Sequence, residues 1–341
     1  MMILVTGATG LVGAHILYDL SQTESKIRAC KRETSDLYFV ESLFDFYGGN
    51  AAKSLLAKIE WVDADVTNID DMLVVTKDID IVYHAAAIVS FQKKQADAMI
   101  SANIDGTANV VNACKENGVK KIGHISSVAT LGPSKHGEAL NEKHFWEISK
   151  DNSNYAISKH GAEQEVWRIN EEGVDIVMVN PSLISGPGDW NKSSTAIFKT
   201  SYNGLKYFTE GCTGFVDVRD VSSTIIKLVN SETKAERFIL SAEDVVWKDL
   251  FNMVAAAFNI PKPSKKVTKT KAEIAWRVLR FISFFTGNTP QVTKETARSS
   301  LRQRHFSNSK IIDLIGIKFI PIEESVKTTV EFLQKYYVGR N

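Results

Sequence analysis

The chain opens on a short apolar run and then reads Thr6-Gly7-Ala8-Thr9-Gly10-Leu11-Val12-Gly13, directly before an amphipathic stretch. Glycines at this spacing between a strand and a helix allow a tight turn, close approach of backbone to a pyrophosphate, and close packing of helix on strand. The first N–H groups of the helix and the positive end of its dipole then face the anion. The segment predicts a dinucleotide-binding loop whose contacts are Gly7, Thr9, Gly10, Leu11, Val12 and Gly13.

The first half of the chain alternates short β-branched runs with helical stretches. We predict strands at residues 3–6, 27–31, 59–62, 79–83, 121–126 and 175–179, and long helices at 95–116 and 155–171. The strand runs are apolar and rarely alternate with polar residues, as expected for parallel strands covered on both faces. The order predicts an α/β fold, a doubly wound Rossmann sheet with right-handed crossovers.

The alternation of predicted strands and helices stops after Pro181, and Ser185-Gly186-Pro187-Gly188 predicts a break in regular structure. We assign residues 1–180 to a dinucleotide-binding Rossmann domain and residues 181–341 to a smaller, mainly helical substrate-binding lobe. Two short strands, at 215–218 and 237–240, make the segment of about 215–241 a candidate to return to the main sheet. Beyond residue 248 the pattern is mostly helical, with breaks at 261–263 and 287–290.

Composition excludes several classes of protein. With 41 Lys and Arg against 40 Asp and Glu, the net charge is +1, so no nucleic-acid partner is predicted. The three cysteines, Cys30, Cys114 and Cys212, are too few and too widely spaced for a disulfide framework or a zinc site, and no metal is expected. We see no secretory leader and no apolar run of the roughly 20 residues that a membrane span needs, which predicts a cytoplasmic protein.

The end of the second predicted strand bears on the choice of cofactor. It reads Ile27-Arg28-Ala29-Cys30-Lys31-Arg32-Glu33, with cations where NAD enzymes often carry an acid that binds ribose. An arginine there can pair with a 2′-phosphate, which favours NADP. Glu33 adjoins the cations and leaves NAD open.

Asp65 and Val66 follow the third predicted strand. Asp65 could accept a hydrogen bond from the adenine amino group while Val66 packs on the ring. An ordinary polar strand end would read the same way, so this segment alone does not decide between the two interpretations.

A phenol and an ammonium lie four residues apart at Tyr155 and Lys159, on one face of a predicted helix. A free tyrosine has a pKa near 10, and a neighbouring cation lowers it by favouring the phenolate. Tyr202 and Lys206 repeat the spacing, but Gly204 and the irregular surroundings make that second pair a poor catalytic helix.

Two serines, Ser126 and Ser127, end the fifth predicted strand at the carboxyl edge, where ligands bind in such sheets. A hydroxyl at that place can bind a substrate carbonyl and share its proton with Tyr155. Paired serines at a strand end are otherwise common in turns, so the prediction depends on the glycine loop and the Tyr–Lys helix occurring in the same chain.

Taken together, these segments resemble the extended short-chain dehydrogenase/reductase superfamily, the NAD-dependent epimerase/dehydratase family. The resemblance rests on Thr6–Gly13, Asp65-Val66, His84-Ala85-Ala86-Ala87, Asn103-Ile104-Asp105-Gly106-Thr107, Ser126-Ser127 with Gly132, the Tyr155 to Lys159 motif, Asn180-Pro181-Ser182 and the 215–221 run. The stretch around Arg32 looks more like the dihydroflavonol 4-reductase and 3β-hydroxysteroid dehydrogenase branch than the sugar-nucleotide epimerases.

The resemblance implies roles for individual residues. Counting back five positions from Gly132 makes Ser127 the catalytic serine, with Tyr155 and Lys159. Asn103 joins this catalytic group by steadying the helix beside the fourth strand, and His84 is a structural residue at a strand end. The remaining implied contacts are to the cofactor: Arg32 to the NADP phosphate, Asp65 and Val66 to adenine, Ala85, Ala86 and Ala87 near the ribose, and Pro181 and Ser182 beside the nicotinamide. Superfamily members commonly dimerise through the helices at 95–116 and 152–171, so a homodimer is implied.

We therefore predict hydride transfer between a nicotinamide and a ketone or secondary alcohol, with Tyr155 passing the proton. One alternative is a nucleotide-sugar epimerase with tightly bound NAD, and another is a non-catalytic dinucleotide-sensing regulator. A dehydratase is disfavoured, because Val128 and Ala129 stand where dehydratases of this superfamily carry an Asp-Glu pair.

The substrate is predicted only by class, as a small molecule that is apolar or nucleotide-linked. Ser90, Phe91 and Leu183 are candidates to line its pocket beside Ser127 and Tyr155. The aromatic run at 274–285 fits an apolar pocket, a membrane surface or simply the core of the lobe.

Overall fold

The computed structural model describes residues 1–24, 26–90, 92, 95–134, 137–286 and 293–339, the side chains of residues 280–286 excepted. The strands are β1 (Ile3–Thr6), β2 (Ile27–Lys31), β3 (Ile59–Asp63), β4 (Ile81–His84), β5 (Lys121–Ile125), β6 (Asp175–Pro181), β7 (Leu183–Ser185), β8 (Tyr207–Phe208), β9 (Cys212–Asp217), β10 (Glu236–Leu240), β11 (Glu243–Val246) and β12 (Lys265–Lys266). The α-helices are α1 (Leu11–Thr23), α2 (Tyr38–Gly48), α3 (Ala52–Leu56), α4 (Ile69–Val75), α5 (Ala96–Glu116), α6 (Asn154–Glu171), α7 (Ala196–Tyr202), α8 (Val218–Val229), α9 (Trp247–Phe258), α10 (Lys269–Thr286), α11 (Lys294–Ser299), α12 (Ser309–Ile315) and α13 (Ile322–Tyr336).

The main sheet has the order β10-β6-β5-β4-β1-β2-β3, and every neighbouring pair in it is parallel. The strand order reverses between β1 and β4, so the carboxyl ends of these two strands open the crevice in which such sheets bind ligands. The predicted doubly wound Rossmann fold is confirmed.

Each strand of this sheet contributes side chains to two separate hydrophobic cores. In β1, Ile3 and Val5 pack into the core that contains α1 and α8, whereas Leu4 packs into the core that contains α5 and α6. In β6, Val177 and Ile176 divide in the same way. Because successive side chains point to opposite faces, an apolar run is what a strand covered on both sides requires.

The segment expected to return to the main sheet does so only in part. The second strand, β10, pairs with β6 at the sheet edge, as expected. The first strand, β9, instead lies in a separate three-stranded sheet, parallel to β7 and antiparallel to β11. Since β10 occupies the edge of β6, the backbone of β9 finds its hydrogen bonds in this smaller sheet.

The chain beyond β11 is mostly helical, as the sequence predicts, apart from the short β12, which pairs with β8. The predicted break at 261–263 is a connection between α9 and β12. The break at 287–290 lies outside the described residues, as do the side chains of Phe281, Phe284 and Phe285 in the aromatic run. Within the described part of the chain, no helix is both long enough and apolar enough to span a membrane.

Candidate active site

The glycine loop forms the turn between β1 and α1. Gly7 has a φ of +66°, and a Cβ at this position would lie 2.5 Å from the backbone nitrogen of Ala86. The Gly10 N–H donates to the Gly7 carbonyl at 2.9 Å and closes the turn. Gly7 therefore lets the loop touch the segment after β4, which a side chain would prevent.

The start of α1 fits an anionic ligand. Gly10 is the N-cap and offers no side chain to the first N–H groups, and the first turn contains no acidic residue. A Cβ on Gly10 would approach only the Gly7 carbonyl, at 3.2 Å, so the rest of this face is open. Unsatisfied N–H groups and the positive helix end are what a pyrophosphate requires. Thr9 lies in the turn before Gly10, and Leu11 and Val12 begin α1, so their contacts with the cofactor stay predictions.

The two cations after β2 are in different situations. Lys31 forms an ion pair with Asp63 at the end of β3. Arg32 is exposed at the carboxyl edge of the sheet, and its charge contributes to the lowered pKa of Asp65. Arg32 is thus the cation that is placed to meet a ligand phosphate, whereas the charge of Lys31 is already neutralised.

The carboxylate of Asp65 is engaged in its own turn. Its Oδ1 accepts from the Thr67 N–H at 2.9 Å and from the Thr67 hydroxyl at 2.8 Å, and these bonds are the main reason its pKa is lowered. Val66 packs against Gly106 of α5, where a Cβ would lie 2.9 Å from the Val66 Cγ2. Both residues therefore have a structural explanation, and their contacts with adenine stay predictions.

Asn103 connects the segment after β4 to the helix that carries Tyr155. Its Oδ1 accepts from the Ile88 N–H at 2.7 Å, and its Nδ2 donates to the Ile88 carbonyl at 2.9 Å and to the Ser158 hydroxyl at 3.0 Å. Ser158 in turn donates to the carbonyl of Tyr155. Ala85 and Ala86 are half-buried and Ala87 is exposed in the segment that Asn103 fixes.

Tyr155 and Ser127 meet at the carboxyl edge of the sheet. Tyr155 lies in the first turn of α6, and its phenol is hydrogen-bonded to the side chain of Ser127. Burial raises the pKa of Tyr155 above its usual value, while the bond from Ser127 opposes that rise. The sequence predicts that Lys159 lowers the pKa of Tyr155, but the net direction in the structure is the opposite because desolvation dominates.

Lys159 lies one helical turn after Tyr155 and is 3% exposed. Its ammonium donates to the Ile125 carbonyl at the end of β5, at 2.8 Å. Burial lowers the pKa of Lys159 to about 8, and the charge of Glu163 opposes that shift. The helix therefore holds phenol and ammonium on one face, as predicted, and the ammonium is directed to the end of β5, directly before Ser126 and Ser127.

The second Tyr–Lys pair has no comparable geometry. Helix α7 ends at Tyr202, so Lys206 lies beyond it, and Gly204 between them has a φ of +89°. The ring of Tyr202 packs on Trp190 and Phe258. The choice of Tyr155 over Tyr202 agrees with this geometry.

His84 is 1% exposed, and both of its ring nitrogens are hydrogen-bonded. Its Nδ1 lies 2.7 Å from the Thr6 hydroxyl and its Nε2 lies 3.0 Å from the Thr107 hydroxyl. Burial lowers the pKa of His84 to about 3, so the ring is neutral. This geometry supports the structural role expected for His84.

The residues predicted beside the nicotinamide and the substrate lie in several separate segments of the chain. Pro181 ends β6, and Ser182 is buried beside Gly214 with its N–H bonded to the Leu240 carbonyl. Leu183 is half-buried in β7. The Ser90 hydroxyl donates to Gln95 at 2.7 Å, before α5. Phe91 lies outside the described residues.

The structure contains a buried ion pair near Ser127, Tyr155 and Lys159 that the sequence did not predict. It is formed by Glu163 of α6 and Arg237 of β10. The two residues are 74 positions apart in the chain, so no local pattern connects them. The available signal was the place of Glu163 on the same helix face as Tyr155 and Lys159, where an ionised side chain has to be paired.

Comparisons with known proteins agree with this geometry. The NAD dependent epimerase/dehydratase family matches residues 3–239. Sterol demethylase protein B of Methylococcus capsulatus is 26% identical over 77% of this chain and 76% of its own length. Cinnamoyl-CoA reductase 1 of Petunia hybrida is 26% identical over 98% of this chain and 92% of its own length. The crystal structure of gox2253 superposes with a TM-score of 0.80 and 28% identity over 98% of both chains.

The family match covers more than half of the chain and includes the glycine loop, the strand end with Ser127 and the helix with Tyr155. The resemblance inferred from the sequence is thereby confirmed. The chain belongs to the NAD-dependent epimerase/dehydratase family, and it is an NAD(P)-dependent enzyme of the extended short-chain dehydrogenase/reductase superfamily.

Proposed function

We propose that this enzyme reduces the carbonyl group of an apolar small molecule and that NADPH is its preferred cofactor. The observation that carries the proposal is the hydrogen bond between Tyr155 and Ser127, at the carboxyl edge of the sheet and one helical turn from the Lys159 ammonium. The cofactor, when bound, supplies the hydride. The chain's own residues must bind the substrate oxygen and move one proton.

Ser127 and Tyr155 are placed for that proton step. Two hydroxyl groups bonded to each other can both donate to one carbonyl oxygen that enters between them, and this polarises the carbonyl carbon. The raised pKa of Tyr155 keeps the phenol protonated at neutral pH, so Tyr155 is the general acid in the direction of reduction. Lys159, one helical turn after Tyr155 and bonded to the Ile125 carbonyl, supplies the positive charge that stabilises the phenolate as it forms.

The preference for NADPH is supported by the two cations after β2. Lys31 is neutralised by Asp63, whereas Arg32 is exposed at the sheet edge that faces the predicted ribose. An arginine in that position can pair with a 2′-phosphate in a bidentate manner.

The apolar substrate class is supported by two similar proteins, whose names refer to a sterol and to cinnamoyl-CoA, in which the cinnamoyl group that carries the carbonyl is apolar. The structural neighbours also include sugar-nucleotide epimerases, but below 20% identity they show only the shared fold. A nucleotide-sugar substrate therefore has weaker support.

The test is a screen for NADPH consumption with sterol ketones, dihydroflavonols, cinnamoyl-CoA and nucleotide sugars, followed by the Tyr155→Phe variant. We expect turnover with an apolar carbonyl compound, and a loss of about 10²–10⁴-fold in kcat for Tyr155→Phe with NADPH affinity unchanged. Full turnover by Tyr155→Phe would refute the mechanism. Copurified NAD with epimerisation would establish the alternative enzyme, and NADPH binding without turnover of any compound would favour a regulator.

We also propose that the protein forms a homodimer through the outer faces of α5 and α6. An apolar groove there is lined by Ile104, Trp146, Ile148 and Ile157, and Ile148 is 97% exposed. Light scattering after gel filtration should give twice the mass of the chain, and Ile157→Glu should give the monomer. A wild-type monomer at all concentrations would refute this assignment.

The cytoplasm is our proposed compartment. Cys30, Cys114 and Cys212 are all free and buried in the structure, which suits a reducing environment. Cell fractionation with an antibody against the protein tests this proposal, and recovery outside the cytoplasmic fraction would contradict it.

A further inference from the structure

One buried carboxylate lies directly beneath the proposed reacting groups. Glu163 is on α6, four residues after Lys159, and is 3% exposed. Its Oε2 accepts from the Ser126 hydroxyl at 2.6 Å and from the Asn180 amide at 3.0 Å. Its Oε1 accepts from Arg237 at 2.8 Å. A single carboxylate thus joins α6 to β5, β6 and β10.

Glu163 is ionised in spite of its burial. Desolvation alone would raise its pKa, but the charge of Arg237 and the hydroxyl group of Ser126 hold the pKa below the usual value. Arg237 is itself largely buried and donates a second bond to the Glu142 carbonyl at 2.7 Å. Because an unpaired buried charge is costly, each partner requires the other.

The same network reaches the proposed catalytic serine from two sides. The Asn180 amide that binds Glu163 also donates to the Ser127 carbonyl at 3.1 Å and to the Thr130 hydroxyl at 3.0 Å. The Thr130 hydroxyl donates its own proton to the Ser127 carbonyl at 3.0 Å. Ser126, which binds Glu163 directly, is the neighbour of Ser127 in the chain. The backbone of Ser127 is therefore fixed relative to the helix that presents Tyr155.

We propose that Glu163, paired with Arg237, is a positioning residue that sets the distance between Ser127 and Tyr155 and places the negative charge that Lys159 requires. This inference rests on the proposed function, because it assigns the network to those three groups. Glu163 acts through the groups that it binds, which are Ser126, Asn180 and Arg237.

The charges around Lys159 make Glu163 important for its protonation. The stacked rings of His84 from β4 and His124 from β5 interact with the Lys159 charge, and burial is the main cause that lowers the pKa of both. Both rings are therefore neutral, and on α6 itself Tyr155 is protonated. Glu163 is the anion that raises the pKa of Lys159 against its burial.

The first test compares Glu163→Gln with Glu165→Gln, a control on the same helix whose carboxylate pairs with Arg168 at the surface. We expect kcat of Glu163→Gln to fall about 10²-fold, since small misplacements of reacting groups have effects of this size. KM and NADPH affinity should stay within about threefold of the wild type, as for loss of an interaction made in the transition state. Glu165→Gln should keep wild-type turnover.

The second readout is the protonation of Lys159, which a merely structural residue would not change. With lysine labelled at the ε-carbon, and with Lys159→Met to assign its signal, NMR should show the Lys159 pKa in Glu163→Gln about one unit below that of the wild type. The basic limb of the pH profile of kcat should move to lower pH by a similar amount. The NMR titration of Lys159 needs no substrate, whereas the pH profile of kcat does.

Each outcome decides the inference. If Tyr155→Phe keeps turnover, the proposed function fails, and the Lys159 titration still tests Glu163. If Tyr155→Phe is inactive but Glu163→Gln behaves like Glu165→Gln, the inference is overturned and the proposed function stands. A lower kcat with an unchanged Lys159 titration overturns the electrostatic role of Glu163. If Glu163→Gln does not fold, Ser126→Ala removes one bond and keeps the ion pair. A kcat lowered about 3–10-fold is then expected, and wild-type kcat overturns the inference.

Discussion

The glycine loop gives a prediction that separates binding of the cofactor from stability of the fold. Gly10→Ala adds a methyl group whose only close neighbour is the Gly7 carbonyl oxygen, at 3.2 Å. Gly13→Ala adds a methyl group 2.2 Å from that oxygen and 2.7 Å from the Gly7 carbonyl carbon. Backbone atoms of a tight turn cannot move away as a flexible side chain can.

The magnitudes follow from these contacts. For Gly13→Ala we expect a loss of about 1–3 kcal/mol in the free energy of unfolding, as for other overpacked sites. In a chain of this length each kcal/mol corresponds to a Tm shift of about 2 °C, so Tm should fall by about 2–6 °C. For Gly10→Ala we expect a smaller loss of about 0.5–1 kcal/mol, the difference between glycine and alanine at an N-cap.

For NADPH affinity we expect the opposite order, with a larger effect for Gly10→Ala than for Gly13→Ala. A methyl group on Gly10 would stand between the loop and the pyrophosphate, and an overpacking cost of about 1–3 kcal/mol corresponds to a Kd raised by roughly 10–100-fold. Gly48→Ala is the control, because the nearest neighbour of its methyl group would be the flexible tip of Leu55, at 3.3 Å, with Ala52 and Tyr18 at ordinary contact distances of 3.6 and 3.7 Å. Thermal unfolding without ligand and fluorescence titration with NADPH measure both effects. Wild-type NADPH affinity in Gly10→Ala, or wild-type Tm in Gly13→Ala, would refute the reasoning.

Three further predictions concern the cofactor phosphate, the hydrogen bonds of Asn103, and the pH dependence of stability. Arg32→Ser should weaken NADPH binding by roughly 10–100-fold and change NADH binding by less than about threefold, because only NADPH carries the 2′-phosphate; an equal loss for both cofactors in a titration would contradict this. Asn103→Ala should lower the free energy of unfolding by about 1–3 kcal/mol in urea titrations, because it leaves the backbone groups of Ile88 unpaired, and an unchanged midpoint would exclude the role we assign. Burial lowers the pKa of His15 to about 4. As the pH falls, the unfolded chain therefore binds a proton at this residue before the folded chain does. The stability that neutral His15 contributes is present above pH 6.5 and is lost as the pH falls toward 4. Between pH 7 and pH 5 this loss is about 2 kcal/mol, and urea unfolding of His15→Phe should show a pH dependence weaker by that amount; an identical dependence would argue against a buried neutral histidine.

Local patterns in the sequence determined the sheet and the location of the site. The apolar runs gave all seven strands of the main sheet to within two residues, since a strand covered on both faces must be apolar throughout. The spacing of Gly7, Gly10 and Gly13 required the turn between β1 and α1 for reasons of backbone geometry alone. The interval between Tyr155 and Lys159 placed both on one face of α6, because that interval is close to one helical turn.

Only the tertiary structure decided how these groups are held. It placed β9 outside the main sheet, directed Lys159 to the Ile125 carbonyl, and raised the pKa of Tyr155 through burial. It also joined Glu163 of α6 to Arg237 of β10. Each of these outcomes depends on which elements meet in space and how much water they exclude, and residues far apart in the chain carry no local pattern that records such meetings.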